Sequence, residues 1–312
     1  MAVKLADVQA AAERIRGQVH CTPVMTSATL DRELDAQVFV KCENLQKVGA
    51  FKARGACNAV LSLTKDQAAL GVVTHSSGNH AAALAYAARA RGIPCHVVMP
   101  DTAPKIKVAA VQGYGAEVRF CKQSERQATC DAWRSETGAA LVHPFENPLV
   151  IAGQGTAALE MLEQVPDLDV VIAPVGGGGL CGGSSVVVRA LLPNARMLGA
   201  EPKAVDDAAR SMATGIRQPA VSKPKTCADG LMTGLGEPNF ALLIQHQVEV
   251  ITCEEDEIVA AARFFLERMN IVVEPSGATT LASIRTIADQ VRGKRIGMIV
   301  TGGNTDFAWL TR

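Results

Sequence analysis

Hydrophobic residues follow two spacings along the chain, and the two spacings alternate. Short runs rich in Val, Ile and Met have the length and composition of strands. These runs lie at residues 71–75, 95–100, 116–121, 169–175, 196–201, 248–252 and 295–301. Between them, Ala- and Leu-rich segments place apolar residues three and four positions apart, which is the spacing of one helix face. Strands joined through helices form parallel sheets with right-handed crossovers, so the pattern predicts an α/β fold.

The stretch 170–188 has no charged residue and is close to the length of a membrane span. Its centre carries Pro174 and a run of glycines, and each interior Gly costs a helix about 1 kcal/mol and each Pro about 3 kcal/mol relative to Ala. We therefore predict a strand, a loop and a helix here. Residues 1–17 have charges among their apolar positions, which indicates an amphipathic helix rather than a cleavable signal. We expect no membrane partner.

The composition is that of a globular protein with a sizeable core, since 48% of the 312 residues are hydrophobic. Lys plus Arg (31) balance Asp plus Glu (31) without a strongly basic block, which argues against a nucleic-acid partner. The nine cysteines are scattered without a CxxC pair, so we expect neither a disulfide framework nor a zinc site. Reduced thiols favour a cytoplasmic location.

Polar and glycine-rich clusters follow several of the predicted strands. They are the stretches 74–80 (THSSGNH), 174–183 (PVGGGGLCGG) and 300–306 (VTGGNTD). In open parallel sheets, ligands bind beyond the carboxyl ends of the strands, so the chemistry of the protein is expected in these clusters. No repeat and no Pro- or Ser-rich linker divides the chain, so two lobes would be interleaved in sequence.

Four consecutive glycines, Gly176, Gly177, Gly178 and Gly179, lead from a strand into a helix predicted to begin near Leu180. Their backbone N–H groups can turn toward one point, and the helix N-terminus adds positive potential. The loop therefore predicts a phosphate site, because a tight turn alone needs fewer glycines.

The same region allows a different interpretation. Gly177, Gly179 and Gly182 match the GxGxxG pattern, and Glu201 ends the next strand about 20 residues later, as in a dinucleotide-binding fingerprint. An NAD-dependent oxidoreductase is therefore an alternative function, although it leaves the 74–80 cluster and Lys52 unexplained. A non-catalytic small-molecule sensor is a further alternative.

The cluster 74–80 offers hydroxyl, amide and imidazole groups at the start of a predicted helix. Ser76, Ser77, Asn79 and His80, with the N–H groups of the helix N-terminus, suit a carboxylate or an aromatic oxyanion. Plain N-capping is the alternative, but a cap needs only one such residue.

Lys52 and Thr301 are ambiguous on local grounds. Lys52 lies in the first turn of a predicted helix, where a lysine is usually solvated. Thr301 ends the run 295–301, where a hydroxyl commonly satisfies backbone groups. Neither residue predicts chemistry by itself.

Taken together, the motifs resemble those of one enzyme family. GAFKARGA, THSSGNHAAA, PVGGGGL, AEP followed by DD, VEPSGA and TGGN occur in the order and approximate spacing of the fold-type-II pyridoxal-phosphate (PLP) enzymes. The likeness is greatest to the serine racemase, threonine dehydratase and 3-hydroxyaspartate dehydratase group, and it spans nearly the whole chain.

The resemblance implies a tryptophan synthase β-like fold with two lobes, each a mostly parallel twisted sheet flanked by helices. Residues 1–70 and 147–312 would form the large PLP-binding domain, and residues 71–146 a small mobile domain. A homodimer is also implied. Because the sequence ends soon after TGGN, we expect no further regulatory domain.

The resemblance also implies the cofactor contacts. Lys52 would form the Schiff base with PLP and carry the substrate α-proton, which requires an amine that can be neutral. Phe51 would pack beside the ring, and Asn79 would bond its phenolic oxygen. Glu274 would lie near the pyridine edge, and Thr301 would face the pyridine nitrogen. The phosphate would be held by Gly176, Gly177, Gly178 and Gly179.

The implied function is that of a PLP-dependent ammonia-lyase, or dehydratase, which converts a small β-hydroxy amino acid to a 2-oxo acid and ammonia. Serine, threonine and 3-hydroxyaspartate all remain open as the substrate. A neutral hydroxyl at Thr301 would make the cofactor a weaker electron sink than an Asp would, which suits β-elimination over transamination.

The substrate contacts follow from the same resemblance. Ser76, Ser77, Gly78 and His80 would bind the substrate carboxylate, and Arg126 would lie near the substrate side chain. Ser77 also matches the serine that serves racemases as the acid and base on the face opposite the lysine. Amino-acid racemase activity is therefore implied as a second outcome.

Glu201 and Asp207, with the main-chain carbonyl of Val205, match a divalent-cation site of the family. Ligands that are all oxygen suit Mg²⁺, Ca²⁺ or Mn²⁺. The alternative is a pair of solvated surface acids.

Overall fold

The computed structural model of the chain describes residues 2–311, and of Ile106 only its place in a helix. The strands are β1 (Val24–Met25), β2 (Gln37–Cys42), β3 (Val72–His75), β4 (Cys95–Pro100), β5 (Glu117–Cys121), β6 (Ala140–Leu141), β7 (Val170–Pro174), β8 (Arg196–Pro202), β9 (Glu249–Cys253) and β10 (Arg295–Val300).

Helices cover the segments between most of these strands. They are α1 (Leu5–Ile15), α2 (Ala28–Leu34), α3 (Lys52–Leu61), α4 (Lys65–Leu70), α5 (Asn79–Arg91), α6 (Lys105–Gly113), α7 (Arg126–Thr137), α8 (Pro148–Gln164), α9 (Gly179–Leu191), α10 (Asp207–Thr214), α11 (Glu237–Gln245), α12 (Glu255–Arg268) and α13 (Pro275–Thr286). Short 3₁₀ helices lie at Glu43–Leu45, Lys47–Gly49, Gln123–Glu125, Lys203–Val205, Asp229–Leu231, Ala288–Gln290 and Ala308–Thr311.

The strands form two sheets. The six-stranded sheet has the order β1-β2-β10-β7-β8-β9, and its pairs are parallel except β1 with β2. The four-stranded sheet has the order β5-β4-β3-β6 and is parallel throughout. The predicted α/β class and its mostly parallel sheets are confirmed. The strands of the smaller sheet fall within residues 72–141, and the segments on either side of them build the larger sheet.

Each run predicted as a strand is a strand, but the pattern missed β1, β2 and β6. Strand β2 contains Lys41, which is fully buried. Its amine lies 2.5 Å from Oε1 of Glu160, so an ion pair from a distant helix makes the burial possible. A local pattern does not contain that partner.

A buried ion network supports the first turns of α3. Arg54 is 1% exposed and donates from Nη2 to Oε1 of Glu43 at 2.7 Å and from Nη1 to Oε2 of Glu160 at 3.1 Å. Removing one partner from such a network typically costs about 3–5 kcal/mol, because it leaves an uncompensated buried charge. The network lies two residues beyond Lys52, so it holds the start of this helix in place.

Neighbouring residues of the larger sheet face two separate cores, because side chains alternate along a strand. Val171 of β7 packs with side chains of α8 and α9, whereas Ile172 packs with side chains of α12 and α13. In the smaller sheet, Val72 faces α3 and α5, and Val73 faces Trp133 of α7.

Helix α3 lies between the two sheets. It shares a hydrophobic core with α5 and the smaller sheet, and it crosses α8 at a close approach of two glycines. A β-carbon on Gly153 would lie 2.6 Å from Cα of Gly55, so neither position tolerates a side chain. The first residue of α3, Lys52, is therefore held by both parts of the molecule.

The predictions of a strand, a loop and a helix in residues 170–188 and of an amphipathic helix near the N-terminus are also confirmed. Residues 170–188 form β7, a loop and most of α9, and the N-terminal segment forms the amphipathic α1. Across residues 2–311, no helix combines the length and the hydrophobicity that a membrane span requires.

Candidate active site

The start of α3 is hydrogen-bonded to the end of β10. Phe51 N–H donates to the carbonyl oxygen of Thr301 at 2.9 Å, and Ala50 and Gly302 form an isolated antiparallel bridge. Because β10 is an interior strand of the larger sheet, this pairing brings Lys52 and Thr301 to the carboxyl end of that sheet. The two residues that were ambiguous in sequence thus share one place.

Lys52 is partly buried and turns its amine into the protein. Nζ donates to the carbonyl oxygen of Pro144 at 2.9 Å and lies 4.9 Å from the centre of the Phe51 ring. Burial lowers the pKa of Lys52 to about 8, and the carboxyl group of Glu274 opposes this shift. Near pH 8 much of this amine is neutral, which a nucleophilic or proton-transferring lysine requires.

The glycine loop lies between β7 and α9. Gly178 has a φ of +85°, a conformation that favours glycine, and Phe145 covers Gly177 so closely that a β-carbon there would overlap its ring. Helix α9 begins at Gly179, and the first N–H groups of a helix have no acceptor within it. The loop therefore presents backbone donors and the positive end of α9, which suits a phosphate.

Asn79 links the smaller sheet's segment to two other parts of the chain. Its Nδ2 donates to Oε1 and Oε2 of Glu274 at 3.1 and 3.2 Å, and its Oδ1 accepts from Nδ2 of Asn304 at 3.0 Å. Burial raises the pKa of Glu274 to about 7, and the hydrogen bond from Asn79 opposes the rise. The Asn79 amide is thus held at the first turn of α5 with a fixed orientation.

Thr301 carries a buried hydroxyl without a hydrogen-bond partner among the described residues. The residue is 4% exposed, and a β-carbon on Gly277 would lie 3.1 Å from its Oγ1. A buried polar group left unpaired costs about 1–3 kcal/mol, so this hydroxyl indicates a partner that is not part of the chain.

The stretch 76–80 comprises the loop that leads from β3 into α5 and the first two residues of that helix. Ser76 Oγ accepts from Gly78 N–H at 3.3 Å. Nε2 of His80 lies 3.0 Å from the carbonyl oxygen of Val142, and because a carbonyl only accepts, Nε2 carries the proton. Burial lowers the pKa of His80 to about 3, so the ring is neutral and adds no positive charge to the site.

Two further histidines lie beside this loop, and the sequence pattern gave no role to either. The rings of His75 and His143 are 5.6 Å apart. Burial lowers the pKa of His143 to about 4, and burial together with the charge of Arg126 lowers the pKa of His75. His143 follows β6 by two residues, so recognition of that short strand would have been the signal for it.

Arg126 is the first residue of α7 and lies close enough to His75 for its charge to act there. Its Nε is buried and has no hydrogen-bond partner among residues 2–311. Arg126 therefore places a positive charge beside His75 on this side of the site, and the charge of Asp131 acts on the same histidine in the opposite direction.

The predicted cation ligands lie apart from these residues, at the end of β8. The Glu201 carboxylate accepts from the N–H groups of 208–209 at 2.9 and 2.8 Å, and Asp207 Oδ2 accepts from Leu235 N–H at 2.8 Å. Val205 lies between them in a 3₁₀ helix. Burial raises the pKa of Glu201 to about 8 and also raises that of Asp207. In the described part of the chain, no three His, Cys, Asp or Glu side chains form a metal-binding group.

The arrangement around Lys52 fits PLP. An amine with a lowered pKa can react with the aldehyde of PLP, and the glycine loop can bind its phosphate. The unpartnered Thr301 hydroxyl can form a hydrogen bond with its pyridine nitrogen. These groups come from distant segments, and the fold brings them to one edge of the larger sheet.

Comparison with known proteins decides the family. The model of the family described as "Pyridoxal-phosphate dependent enzyme" matches residues 15–302. The chain belongs to the PLP-dependent enzymes. The resemblance stated from the motifs is confirmed, and the dinucleotide-binding alternative built on Gly177, Gly179, Gly182 and Glu201 is not supported.

Relatives of this PLP-dependent enzyme cover nearly its whole length. It is 48% identical to the β-hydroxyaspartate dehydratase of Paracoccus denitrificans over 96% of each chain. It is 45% identical to the serine racemase of Dictyostelium discoideum, over 99% of this chain and 97% of that protein. The crystal structure of that racemase superposes with a TM-score of 0.93, covering 97% of this chain and 99% of the other.

Proposed function

We propose that this PLP-dependent enzyme is an ammonia-lyase that converts a small β-hydroxy amino acid to a 2-oxo acid and ammonia. The observation that carries the proposal is the placement of the Lys52 amine and the unpartnered Thr301 hydroxyl at the same sheet edge. A neutral hydroxyl opposite the pyridine nitrogen favours elimination over transamination, for which a carboxylate partner would be better suited.

When bound, PLP supplies an electron sink for the charge that remains after the substrate loses its α-proton. Lys52 holds PLP and is the base that takes this proton, and the Pro144 carbonyl orients its amine. Phe51 would pack beside the PLP ring, Asn79 and Glu274 would hold its edge, and the glycine loop 176–179 would bind the phosphate. Their hydrogen bonds and close contacts support these roles.

The substrate carboxylate binds at the start of α5. The hydroxyl groups of Ser76 and Ser77 and the N–H groups of Gly78 and His80 lie on the loop before and within the first turn of this helix. The positive potential of a helix N-terminus favours an anion there.

Ser77 gives the enzyme a second candidate activity, the racemisation of an amino acid. It lies on the loop between β3 and α5, and its hydroxyl would exchange a proton on the face of the substrate opposite Lys52. Two bases on opposite faces are the requirement for inverting the α-carbon.

We infer that 3-hydroxyaspartate is the preferred substrate. Its second carboxylate needs a cationic partner, and Arg126 offers a positive charge beside neutral His75. Serine and threonine have no group that would satisfy this charge. The similarity to the Paracoccus β-hydroxyaspartate dehydratase supports the same choice.

We also propose a divalent cation, Mg²⁺, Ca²⁺ or Mn²⁺, held by Glu201, Asp207 and the Val205 carbonyl. Both carboxylates are buried and accept only backbone N–H groups among their described hydrogen bonds, which leaves oxygen lone pairs for a hard cation. EDTA should lower the melting temperature of the wild type and not that of Glu201→Gln. Equal melting temperatures with EDTA and with Mg²⁺ would contradict the site.

A cytoplasmic homodimer with a small mobile domain, residues 71–146, completes the proposal. The separate four-stranded sheet is consistent with it. Sedimentation at two protein concentrations tests the dimer.

The central experiment is incubation of the purified enzyme with both enantiomers of serine, threonine and 3-hydroxyaspartate. Release of 2-oxo acid and chiral analysis of the remaining substrate are measured together. The protein should be yellow, and borohydride should fix the cofactor on Lys52. A colourless protein that neither retains PLP nor forms 2-oxo acid would overturn the proposal.

A further inference from the structure

Asn239 is a buried polar residue to which neither the motifs nor the proposed chemistry gives a role. It lies in the first turn of α11 and is 0% exposed. Its Nδ2 donates to the carbonyl oxygen of Gly177 at 2.6 Å and to that of Phe145 at 2.8 Å. Because both neighbours are acceptors, the orientation of the amide is determined by them.

The bond to Gly177 is the shorter of two bonds that fix the direction of a donor in the glycine loop, since the same carbonyl also accepts from Gly236 N–H at 3.2 Å. In a trans peptide the carbonyl oxygen and the next N–H point to opposite sides of the chain. When Asn239 holds the Gly177 carbonyl on its side, the N–H of Gly178 points away from Asn239. A β-carbon on Gly178 would lie 2.7 Å from Cβ of Asn239, so the two residues are in close contact.

The bond to Phe145 acts on the segment that faces Lys52. The carbonyl that accepts from Lys52 Nζ belongs to Pro144, the residue before Phe145. With the Phe145 carbonyl turned toward Asn239, the N–H of Glu146 points the other way and donates to Nδ1 of His143 at 3.1 Å. One amide therefore ties the loop that faces the phosphate to the segment that faces the amine.

We propose that Asn239 is a positioning residue that aligns the Gly178 N–H with the cofactor phosphate and sets the distance between the glycine loop and the Lys52 acceptor. The inference rests on the proposed role of the glycine loop. Asn239 itself does not touch the cofactor, and it acts through the two carbonyl groups that it holds.

The test compares PLP with pyridoxal, which lacks the phosphate. The dissociation constant of each is measured by absorbance titration of the apoprotein. The dissociation constant of pyridoxal divided by that of PLP reports how much the phosphate contributes to binding. Asn239→Leu removes both donors at nearly constant volume. We expect it to lower the ratio about tenfold or more, which is the effect of losing one well-aligned bond to a charged group.

Asn58→Leu is the matched control. Asn58 is also 0% exposed and donates from Nδ2 to a backbone carbonyl, that of Leu149, at 2.7 Å, but it does not contact the glycine loop. Its substitution should leave the ratio unchanged. If Asn239→Leu does not fold, Asn239→Ser, which is too short to reach both carbonyls, gives the same comparison.

The possible results distinguish the positioning role of Asn239 from the assignment of the glycine loop to the phosphate. An unchanged ratio in both Asn239 variants would overturn the positioning role while leaving the proposed function intact. A wild type that binds pyridoxal as tightly as PLP would instead overturn the assignment of the glycine loop to the phosphate.

Discussion

Phe145 packs on Gly177 so closely that a β-carbon at position 177 would overlap its ring. The two residues come from different segments, the end of the smaller sheet's region and the loop after β7. The absence of a side chain at Gly177 therefore serves a tertiary contact as well as the approach of a phosphate.

Gly177→Ala should lower PLP affinity by about 5- to 100-fold, because the new methyl group displaces either Phe145 or the loop, at a cost of about 1–3 kcal/mol. Equilibrium dialysis of PLP measures the effect, and Phe145→Leu should restore part of it. Gly113→Ala is the control, since a β-carbon there meets nothing within 4 Å and Gly113 ends helix α6. A Gly177→Ala variant with wild-type affinity would show that the contact is unimportant.

Lys52→Met should stabilise the apoprotein near pH 7 by roughly 3 kcal/mol. The pKa of Lys52 is about 8 in the folded protein against an ordinary value of 10.5, so between these values the unfolded chain binds more protons and stability rises with pH. The gain from the substitution should shrink above pH 8 and vanish near the ordinary lysine pKa. Urea unfolding of both proteins across pH 6–10.5 measures it, with the exposed Lys294→Met as a control. A gain that does not depend on pH would contradict the buried amine.

Ser77→Ala should suppress racemisation about 100-fold or more, the usual contribution of a general acid or base, while elimination from the L-substrate survives. Chiral analysis and 2-oxo acid release are followed in the same reaction. Ser76→Ala is the comparison, because Ser76 supports the loop through Gly78 and its loss should affect both reactions. Equal loss of both reactions in Ser77→Ala would exclude the two-base scheme.

Arg126→Leu should lower kcat/KM for 3-hydroxyaspartate about 100-fold, since it removes the partner of a buried carboxylate. The value for serine should change less than tenfold. Steady-state assays with both substrates give the comparison. Parallel losses for the two substrates would mean that Arg126 supports the fold of the site and does not select the substrate.

Lys107 and Asp229 form an ion pair of 2.6 Å, and no other ion pair between described residues joins 71–146 to the rest of the chain. An exposed pair contributes about 0.2–1 kcal/mol, so Asp229→Asn should raise the KM for the amino-acid substrate no more than about fivefold. The increase should be larger at low salt than at high salt, because salt screens the pair. The charge reversal Lys107→Asp with Asp229→Lys should restore the wild-type KM. Variants that match the wild type at low salt would show that the pair does not hold the two parts together.

Much of the site was predictable because its signals are local. Lys52 begins α3, the glycine loop leads into α9 at Gly179, and the polar stretch 74–80 leads into α5. These features follow from glycine content, capping residues and apolar spacing over a few positions. Strand β2 was missed because the burial of its Lys41 depends on a distant residue. The acid that neutralises Lys41 lies 119 residues away.

Positions with no local signal were also missed. Asn239 reaches across 62 residues to Gly177, and His143 follows a strand of two residues. A buried asparagine or histidine resembles any polar residue in sequence, because its partners are what give it a role.

Apolar periodicity and glycine content were enough to predict the α/β class, the positions of most strands and the clusters that follow them, because both act over short distances. The tertiary structure alone decided that Lys52 is a partly buried amine with a lowered pKa, since its partner Pro144 lies 92 residues away and the burial comes from both sheets' segments. It also decided that Glu201 accepts the N–H groups at the start of α10. Burial and hydrogen bonding between distant segments are properties of the folded chain, and they set the charge state on which the chemistry depends.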